Sequence, residues 1–313
     1  MQVYRDINEI AFKKKSHLTI GTFDGIHVGH QKIIKDVVHA AKAKGLRSVL
    51  ITFYPHPKTI LNHPKSPIHL LTPVDEKIEL LQKLQLDVVL IIPFSKELAD
   101  MNPKSFVEDY LIKRVGVQQF SIGFNHAFGR DRQGNESVLR KIGEGNQFDV
   151  HIIPPVRIDS EIVSSTKIRQ FLNDGDLIHA NQYLGRDYQV RGVVQQGEKL
   201  GAKIGFPTAN IHVKETLKLI PQDGVYAVRI QIGNADFEGM ANIGHKPTVK
   251  GKDHGIEVHI HDFSGDLYNQ ELTIYFVKRI RDEKHFESVD ALSSQIKQDS
   301  ETIRKEFEKI SRR

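Results

Sequence analysis

A sharp strand-to-helix turn between residues 18 and 41 constrains the fold of this chain more than any other feature. The apolar stretch that ends at Ile20 predicts a strand, and the turn after it reads Gly21-Thr22-Phe23-Asp24-Gly25. A helix is predicted to follow, because apolar residues then recur on one face at helical spacing: Ile33, Ile34, Val37, Val38 and Ala41. The free N–H groups at the start of such a helix form an anion site, most naturally one for phosphate.

Two histidines frame this turn. His27 and His30 lie three residues apart, so both side chains can reach one bound group, and Gly29 lets a group approach the first turn of the helix. An arbitrary pair of this kind is more often a metal half-site or two surface histidines. Here the chain has no cysteine to complete a zinc site, and the turn lacks the Gly-Lys-Ser/Thr of a P-loop. The pattern therefore predicts phosphates held by imidazoles and backbone amides.

Composition sets the broad class of the protein. A length of 313 residues suggests about two domains. The formal net charge of +5 suits anionic ligands without requiring nucleic acid, and the tight basic run Lys13-Lys14-Lys15 is interpreted as solvated surface. The absence of cysteine excludes disulfides and thiol catalysis. With no signal-peptide core at the start and no apolar run long enough to span a bilayer, the sequence predicts a cytoplasmic protein without a membrane partner.

The first 185 residues alternate between strand and helix patterns. Strands are predicted at 47–54, 87–94, 119–124 and 148–156, with helices at 75–86 and 103–113. This alternation predicts a mostly parallel, doubly wound sheet whose ligands bind at the carboxyl ends of the strands. The histidine turn, the turn around His56 and the turn around Asn125 all follow strands, so we expect them to converge.

The pattern changes near Tyr188. Short strands separated by glycine-rich turns are predicted at 189–194, 224–232, 237–243, 255–262 and 272–279, which indicates an antiparallel barrel or sandwich. A helix is predicted at 289–310. The sequence therefore predicts a domain boundary near Gly185, with domains at 1–185 and 186–313.

Two further segments of the first half carry candidate site residues. Ser164-Ser165-Thr166-Lys167-Ile168-Arg169 opens a helix, and either serine is a natural N-cap. With two basic residues in its first turn, the segment is also a plausible second phosphate site. Pro55-His56-Pro57 is stiff and places His56 after a strand, where a rigid loop and a binding residue are equally good interpretations.

Taken together, these motifs resemble those of one enzyme family. The turn with His27-Val28-Gly29-His30, then Pro55-His56-Pro57 and the serine segment, is similar to the adenylyltransferase module of bacterial bifunctional riboflavin kinase/FAD synthetases. The second half resembles the riboflavin kinase module of the same family, in the same order, through Gly205-Phe206-Pro207-Thr208-Ala209-Asn210, Gly224-Val225-Tyr226-Ala227, Asn242-Ile243-Gly244 and Glu257-Val258-His259-Ile260. The resemblance covers essentially the whole chain. It implies an α/β protein in which a Rossmann-like nucleotidyltransferase domain precedes an antiparallel β-barrel with a C-terminal helix.

The resemblance implies two reactions with ATP as co-substrate: riboflavin is phosphorylated to FMN, and FMN is then adenylylated to FAD and pyrophosphate. In the first, the 5′-hydroxyl of riboflavin must lose a proton, so a general base helps. In the second, the FMN phosphate is already anionic, and the site should instead supply positive charge and hydrogen bonds. By resemblance the base is Glu257. On its strand it lies in alternation with apolar residues, a pattern that otherwise indicates a solvated outer face. His27 and His30 are the catalytic candidates of the second reaction.

The remaining site residues also follow from the resemblance. The nucleotide-binding candidates are Gly21, Thr22, Phe23, Asp24, Gly25, Gly29, Ser164, Ser165, Thr166, Arg169, Gly205, Pro207, Thr208 and Asn210. The flavin-binding candidates are His56, Asn125 and Arg281. Thr208 and Asn210 are expected to hold Mg²⁺ as hard oxygen ligands, together with the ATP phosphates. The chain departs from the usual family pattern at four residues: Asn125, His126, which replaces an aromatic residue, Lys246 and Ala202.

The sequence disfavours two other functions. A nucleic-acid-binding module would need clustered basic residues interleaved with aromatics on the barrel strands, which this sequence lacks. A nucleotidyltransferase for another substrate, with an inactive kinase half, is disfavoured because Thr208, Asn210 and Glu257 are all present. The expected partners are riboflavin, FMN, FAD and ATP, without nucleic acid.

Overall fold

The computed structural model describes residues 1–10, 15–61, 68–124, 128–130, 133–197, 201, 204–248 and 251–311. Five residues for which the sequence analysis makes predictions are outside the described ranges: Lys13, Lys14, Asn125, His126 and Ala202. The chain divides into two compact units, Met1–Ser165 and Thr166–Arg313. Each unit has its own sheet, so the two are described separately.

The first unit is built around a six-stranded sheet with strand order β1-β4-β3-β2-β5-β6. Every neighbouring pair in it is parallel. The strands are β1 (Gln2–Tyr4), β2 (Ser16–Ile20), β3 (Arg47–Tyr54), β4 (Val88–Pro93), β5 (Val117–Gly123) and β6 (Asp149–Ile153). The helices between them are α1 (Val28–Ala43), α2 (Pro57–Leu61), α3 (Val74–Gln82), α4 (Lys96–Ala99), α5 (Pro103–Phe106) and α6 (Glu136–Asn146). The predicted parallel sheet is confirmed.

Both faces of this sheet are covered, which explains why its strands are almost continuously apolar. Along β3, Val49 and Ile51 pack in one core cluster, whereas Leu50 points to the opposite face and packs in a second cluster with Ile34 of α1. All four side chains are fully buried. Covering both faces leaves the edge at the carboxyl ends of the strands as the place for a ligand.

The first unit differs from the sequence prediction in several details. The predicted helix 103–113 starts as α5 but continues as a π-helix, Val107–Val115, which ends at left-handed Gly116. The helix predicted at 75–86 stops at Gln82, and Gln85 after it adopts a positive φ of 59°. Helix α6 was missed, because its glycines weaken the helical pattern.

The second unit begins with two helices, α7 (Ser165–Asn173, its first residue in the first unit) and α8 (Leu177–Leu184). The Asn181 side chain joins α8 to the strands, because its Nδ2 donates to Phe276 O at 2.8 Å and its Oδ1 accepts from Tyr188 N at 2.8 Å. Residues 166–184 therefore pack with the barrel. The functional boundary predicted near Gly185 stays a prediction.

A closed antiparallel barrel forms the rest of this unit, with strand order β10-β13-β12-β11-β14-β9. Its strands are β9 (Tyr188–Gln195), β10 (Ala209–His212), β11 (Gly224–Ile232), β12 (Ala235–Thr248), β13 (Gly251–Ile260) and β14 (Glu271–Arg281), and helix α9 (Val289–Ser311) ends the chain. A two-stranded ribbon, β7 (Arg157–Ile158) with β8 (Glu161–Ile162), precedes α7 in the first unit. The structure thus decides for a barrel over a sandwich. Strand β10, which the sequence prediction missed, closes it between β9 and β13.

Within the described residues, none of the helices has the length and apolar character needed to cross a membrane.

Acid should destabilise the first unit through His17. This side chain on β2 is 2% exposed, its Nε2 lies 2.7 Å from Ser121 Oγ, and burial lowers its pKa from 6.5 to about 4, with the charges of His151 and Lys44 acting in the same direction. The folded state therefore binds fewer protons than the unfolded state. The neutral His17 side chain therefore makes its full contribution to the stability of the folded state above pH 6.5, and this contribution is lost as the pH falls toward 4.

The free energy of unfolding of the parental protein should decrease as the pH falls from 7 to 4. We expect this decrease to be smaller in His17→Gln by an amount of the order of 2 kcal/mol. Urea denaturation at several pH values measures it. His39→Gln on α1, which replaces an exposed histidine, is the control. An unchanged pH slope in His17→Gln would contradict the assignment.

Candidate active sites

The predicted strand-turn-helix is present at the carboxyl end of β2, and its backbone is strained. Phe23 and Ile26 have φ values of 45° and 41°, in the left-handed region that non-glycine residues rarely occupy, and Gly25 has φ 92°. Each such non-glycine residue costs of the order of 1–3 kcal/mol, so its surroundings must hold it in place. Backbone strain of this kind is typical of a binding turn.

Asp24 holds the turn from within. Its side chain is 1% exposed and accepts hydrogen bonds from Leu71 N at 3.1 Å and from Thr72 N at 2.9 Å. Its backbone carbonyl accepts from Ser165 Oγ at 2.8 Å. These contacts make Asp24 a structural anchor of the turn, and its predicted contact with nucleotide stays a prediction.

The two histidines lie together as the sequence prediction required. His27 is the N-cap of α1, where its Nδ1 accepts from His30 N at 3.2 Å. The two rings stack with centroids 3.6 Å apart and an interplanar angle of 18°, and the Phe23 ring meets His30 edge-on at 5.1 Å. Because His27 Nδ1 accepts, this ring can donate only through Nε2.

Gly29 makes room for the His27 ring. A Cβ built on Gly29 would lie 3.1 Å from His27 Cε1 and 3.2 Å from Nδ1. The group that approaches the first turn of α1 is therefore the chain's own imidazole. Glycine at this position is explained by histidine packing, and its predicted nucleotide contact stays untested.

The three turns expected to converge follow β2, β3 and β5, which are neighbours in the sheet and end at the same edge. After β3, His56 is buried, and its Nδ1 accepts from Lys58 N at 3.1 Å at the start of α2. After β5, Phe124 is 41% exposed. The flavin role of His56 stays a prediction.

The serine segment starts α7 at Ser165, as predicted. The Ser165 hydroxyl donates to the Asp24 carbonyl, a hydrogen bond between two residues of the first unit. Thr166 is exposed, whereas Ser164 and Arg169 are partly buried. A second phosphate site here stays a prediction.

In the barrel, three residues proposed on resemblance alone lie side by side. Glu257 on β13 pairs in register with Asn210 on β10, and Thr208 Oγ1 donates to Glu257 Oε2 at 3.2 Å. Directly paired residues of antiparallel strands point to the same face. Glu257 also pairs with Asn242 on its other side, in β12. Asn210, Glu257 and Asn242 therefore lie side by side on three neighbouring strands. Asn242 was not among the predicted site residues, although it is part of one of the quoted motifs.

The segment before β10 is shaped by close contacts. His259 Nδ1 donates to Pro207 O at 2.9 Å, and the Phe206 ring meets His259 edge-on at 5.4 Å. Gly205 has φ 84°, and a Cβ there would have no neighbour within 4 Å. At Gly197, by contrast, a Cβ would collide with the Asn210 amide. Glycine at 197 therefore lets the chain pass close to this side chain.

Arg281 has a structural partner. Its guanidinium forms a two-pronged ion pair with Asp299 of α9, with Nε and Nη2 at 2.8–3.2 Å from the carboxylate oxygens. The two side chains are 16% and 5% exposed. This pair fastens α9 to the end of β14, and the predicted flavin contact of Arg281 stays untested.

A metal ion in the barrel would have oxygen ligands. Among the described residues, no group of three or more histidine or acidic side chains is arranged to hold a metal ion. Thr208, Asn210 and Glu257 instead bring a hydroxyl, an amide and a carboxylate together. This donor set fits Mg²⁺, which is held by few protein groups and largely by substrate phosphates.

Comparison with known proteins covers both units. A family model described as FAD synthetase matches residues 9–167, and one described as riboflavin kinase matches residues 184–307. A bifunctional riboflavin kinase/FMN adenylyltransferase from Listeria monocytogenes is 36% identical over 98% of this chain and 95% of its own length. The protein of the same description from Escherichia coli K12 is 35% identical over 93% of this chain and 92% of its own length. A crystal structure described as a macrolide-efflux protein from Streptococcus pneumoniae matches 97% of this chain and 98% of its own, with 32% identity and a TM-score of 0.87.

Proposed function

This chain belongs to the family of bifunctional riboflavin kinase/FMN adenylyltransferases, and we propose that it divides the two reactions of that family at about residue 185. It phosphorylates riboflavin to FMN and adenylylates FMN to FAD, each with ATP as co-substrate. The observation that supports this best is the presence of both family domains in one chain. The meeting of Thr208, Asn210 and Glu257 in the barrel is independent support for an active kinase half.

In the barrel, Glu257 takes the proton of the riboflavin 5′-hydroxyl. The oxygen then attacks the γ-phosphorus of ATP, and ADP leaves. Thr208 Oγ1 donates to Glu257 Oε2 and so orients the carboxylate before substrate binds. Thr208 and Asn210 would hold Mg²⁺, which neutralises phosphate charge when it is bound.

In the first unit, the FMN phosphate attacks the α-phosphorus of ATP and pyrophosphate leaves. The nucleophile needs no base, so the work of the protein is to stabilise charge on the transferring group. His27 Nε2, His30 and the N–H groups at the start of α1 supply hydrogen bonds there. The cytoplasm, which holds free ATP, is the compartment we propose for both reactions.

The direct test incubates the protein with riboflavin, ATP and Mg²⁺ and separates the flavins by chromatography. We expect FMN to appear first and FAD to follow, and FMN supplied alone with ATP to give FAD and pyrophosphate. A second reaction mixture without Mg²⁺ should make neither product. Unchanged riboflavin together with FAD from added FMN would mean that the kinase half is inactive, and no product in either assay would contradict the whole assignment.

A further inference from the structure

A buried lysine lies beside the histidine turn and has no role in the site described so far. Lys77, in the first half of α3, is 6% exposed. Burial lowers its pKa to about 8, and the opposite charge of Asp24 limits that decrease. Because this pKa stays above 7, the side chain is mostly in its ammonium form at neutral pH. A buried charge is costly unless it is paired and hydrogen-bonded, and its partners therefore indicate its purpose.

The Lys77 ammonium is directed at the backbone of the nucleotide turn. Its Nζ donates to the carbonyl oxygen of Thr22 at 2.7 Å. Thr52 Oγ1 donates to the same oxygen at 3.1 Å and lies 3.5 Å from the ammonium. Both donors are buried. One carbonyl of the turn is thus fixed by two side chains from different elements.

The chain segment around Lys77 holds the turn at a second point. Thr72 Oγ1 accepts from Gly25 N at 2.7 Å, and Thr72 N donates to the Asp24 carboxylate. Residues 71–77 therefore contact residues 22–25 at both ends. This arrangement supplies the contacts that the strained φ of Phe23 requires.

Fixing the Thr22 carbonyl also fixes the N–H group that follows it. In a trans peptide the C=O of one residue and the N–H of the next point in opposite directions. With the Thr22 oxygen directed at Lys77, the Phe23 N–H points away from it. Among the residues that the structure describes, none accepts a hydrogen bond from this N–H. A backbone N–H group that has no acceptor within a tight turn can donate a hydrogen bond to a bound anion.

We propose that Lys77 is a positioning residue for adenylyl transfer: its ammonium fixes the Thr22 carbonyl and thereby presents the Phe23 N–H to a phosphate of ATP. This inference rests on the proposed function of the first unit. Lys77 does not touch the nucleotide in this scheme, and acts through the backbone of residues 22 and 23.

The test is Lys77→Met, which keeps the length of the side chain and removes its charge and donors. We expect the KM for ATP in FAD formation from supplied FMN to rise about tenfold or more, the size expected for losing a hydrogen bond to a charged group. FMN formation from riboflavin should be unchanged. Lys83→Met removes an exposed lysine from the end of the same helix and should have no effect on either reaction. Lys77→Arg, which keeps a charged donor, should recover part of the loss.

A purely structural lysine would behave differently. Its loss would lower the fraction of folded enzyme, which lowers kcat and leaves the KM for ATP unchanged. An ATP KM within twofold of the parental value in Lys77→Met, or no recovery in Lys77→Arg, would therefore overturn the proposal. If Lys77→Met does not fold, Lys77→Gln also removes the charge and shortens the side chain that reaches the Thr22 carbonyl, and an ATP KM within twofold of the parental value in that variant would equally overturn the proposal. The parental protein is assayed first, because failure to make FAD from FMN would contradict the proposed function and not the role of Lys77.

Discussion

Glu257→Gln is expected to lower riboflavin kinase turnover about a hundredfold or more, the range of a general-base contribution. Glutamine keeps the shape of the side chain and can still accept from Thr208 Oγ1, which in the structure donates to Glu257 Oε2 at 3.2 Å. What it loses is basicity. The expected loss is therefore in kcat, and binding of riboflavin and ATP should change little. Product formation from riboflavin and titration of riboflavin binding, made on one preparation, measure the two effects.

Two controls separate a catalytic defect from a folding defect. Adenylyl transfer to added FMN should be untouched in Glu257→Gln, because its nucleophile needs no base. Glu238→Gln, at an exposed position on the neighbouring strand β12, should leave kinase turnover unchanged. Kinase activity within a few-fold of the parental value in Glu257→Gln would exclude Glu257 as the base. His259, two residues along the same strand, would then be the candidate, with Nε2 as its accepting nitrogen because Nδ1 donates to Pro207 O.

His30→Ala should reduce FAD formation from supplied FMN about a hundredfold or more, in line with the loss of a donor to developing charge in a transition state. The His30 ring stacks on His27 at 3.6 Å, so its removal also frees the His27 ring to move. FMN formation from riboflavin should persist. The rates of the two half-reactions, followed by chromatography, give the result.

The matched control for this variant is His39→Ala, which removes an exposed histidine from the same helix α1. It should leave both reactions at the parental rate. FAD formation at the parental rate in His30→Ala would reduce His30 to a structural residue. A parallel loss in FMN formation would instead indicate that the variant is misfolded.

The sequence alone determined the features that depend on near neighbours in the chain. Apolar periodicity predicted β3 at the residues where it is observed, and the strand, turn and helix from Ile20 to Ala41 followed from glycine positions and helical spacing. The alternation around Glu257 predicted a strand with this side chain on one face. These signals are local, because a helix or strand period is visible within a few residues.

Tertiary structure decided which distant groups meet. Lys77 is 55 residues from Thr22, and no period or turn motif links the two, so only the folded chain shows that they are hydrogen-bonded. Asn242 lies beside Glu257 because of the register between β12 and β13, which sequence patterns do not specify. Strand β10 has only four residues, too few for its pattern to be recognised in the sequence. Local propensities act over a few residues, whereas strand order, register and burial are set by the packing of the whole unit, and these long-range contacts decide the geometry of the site.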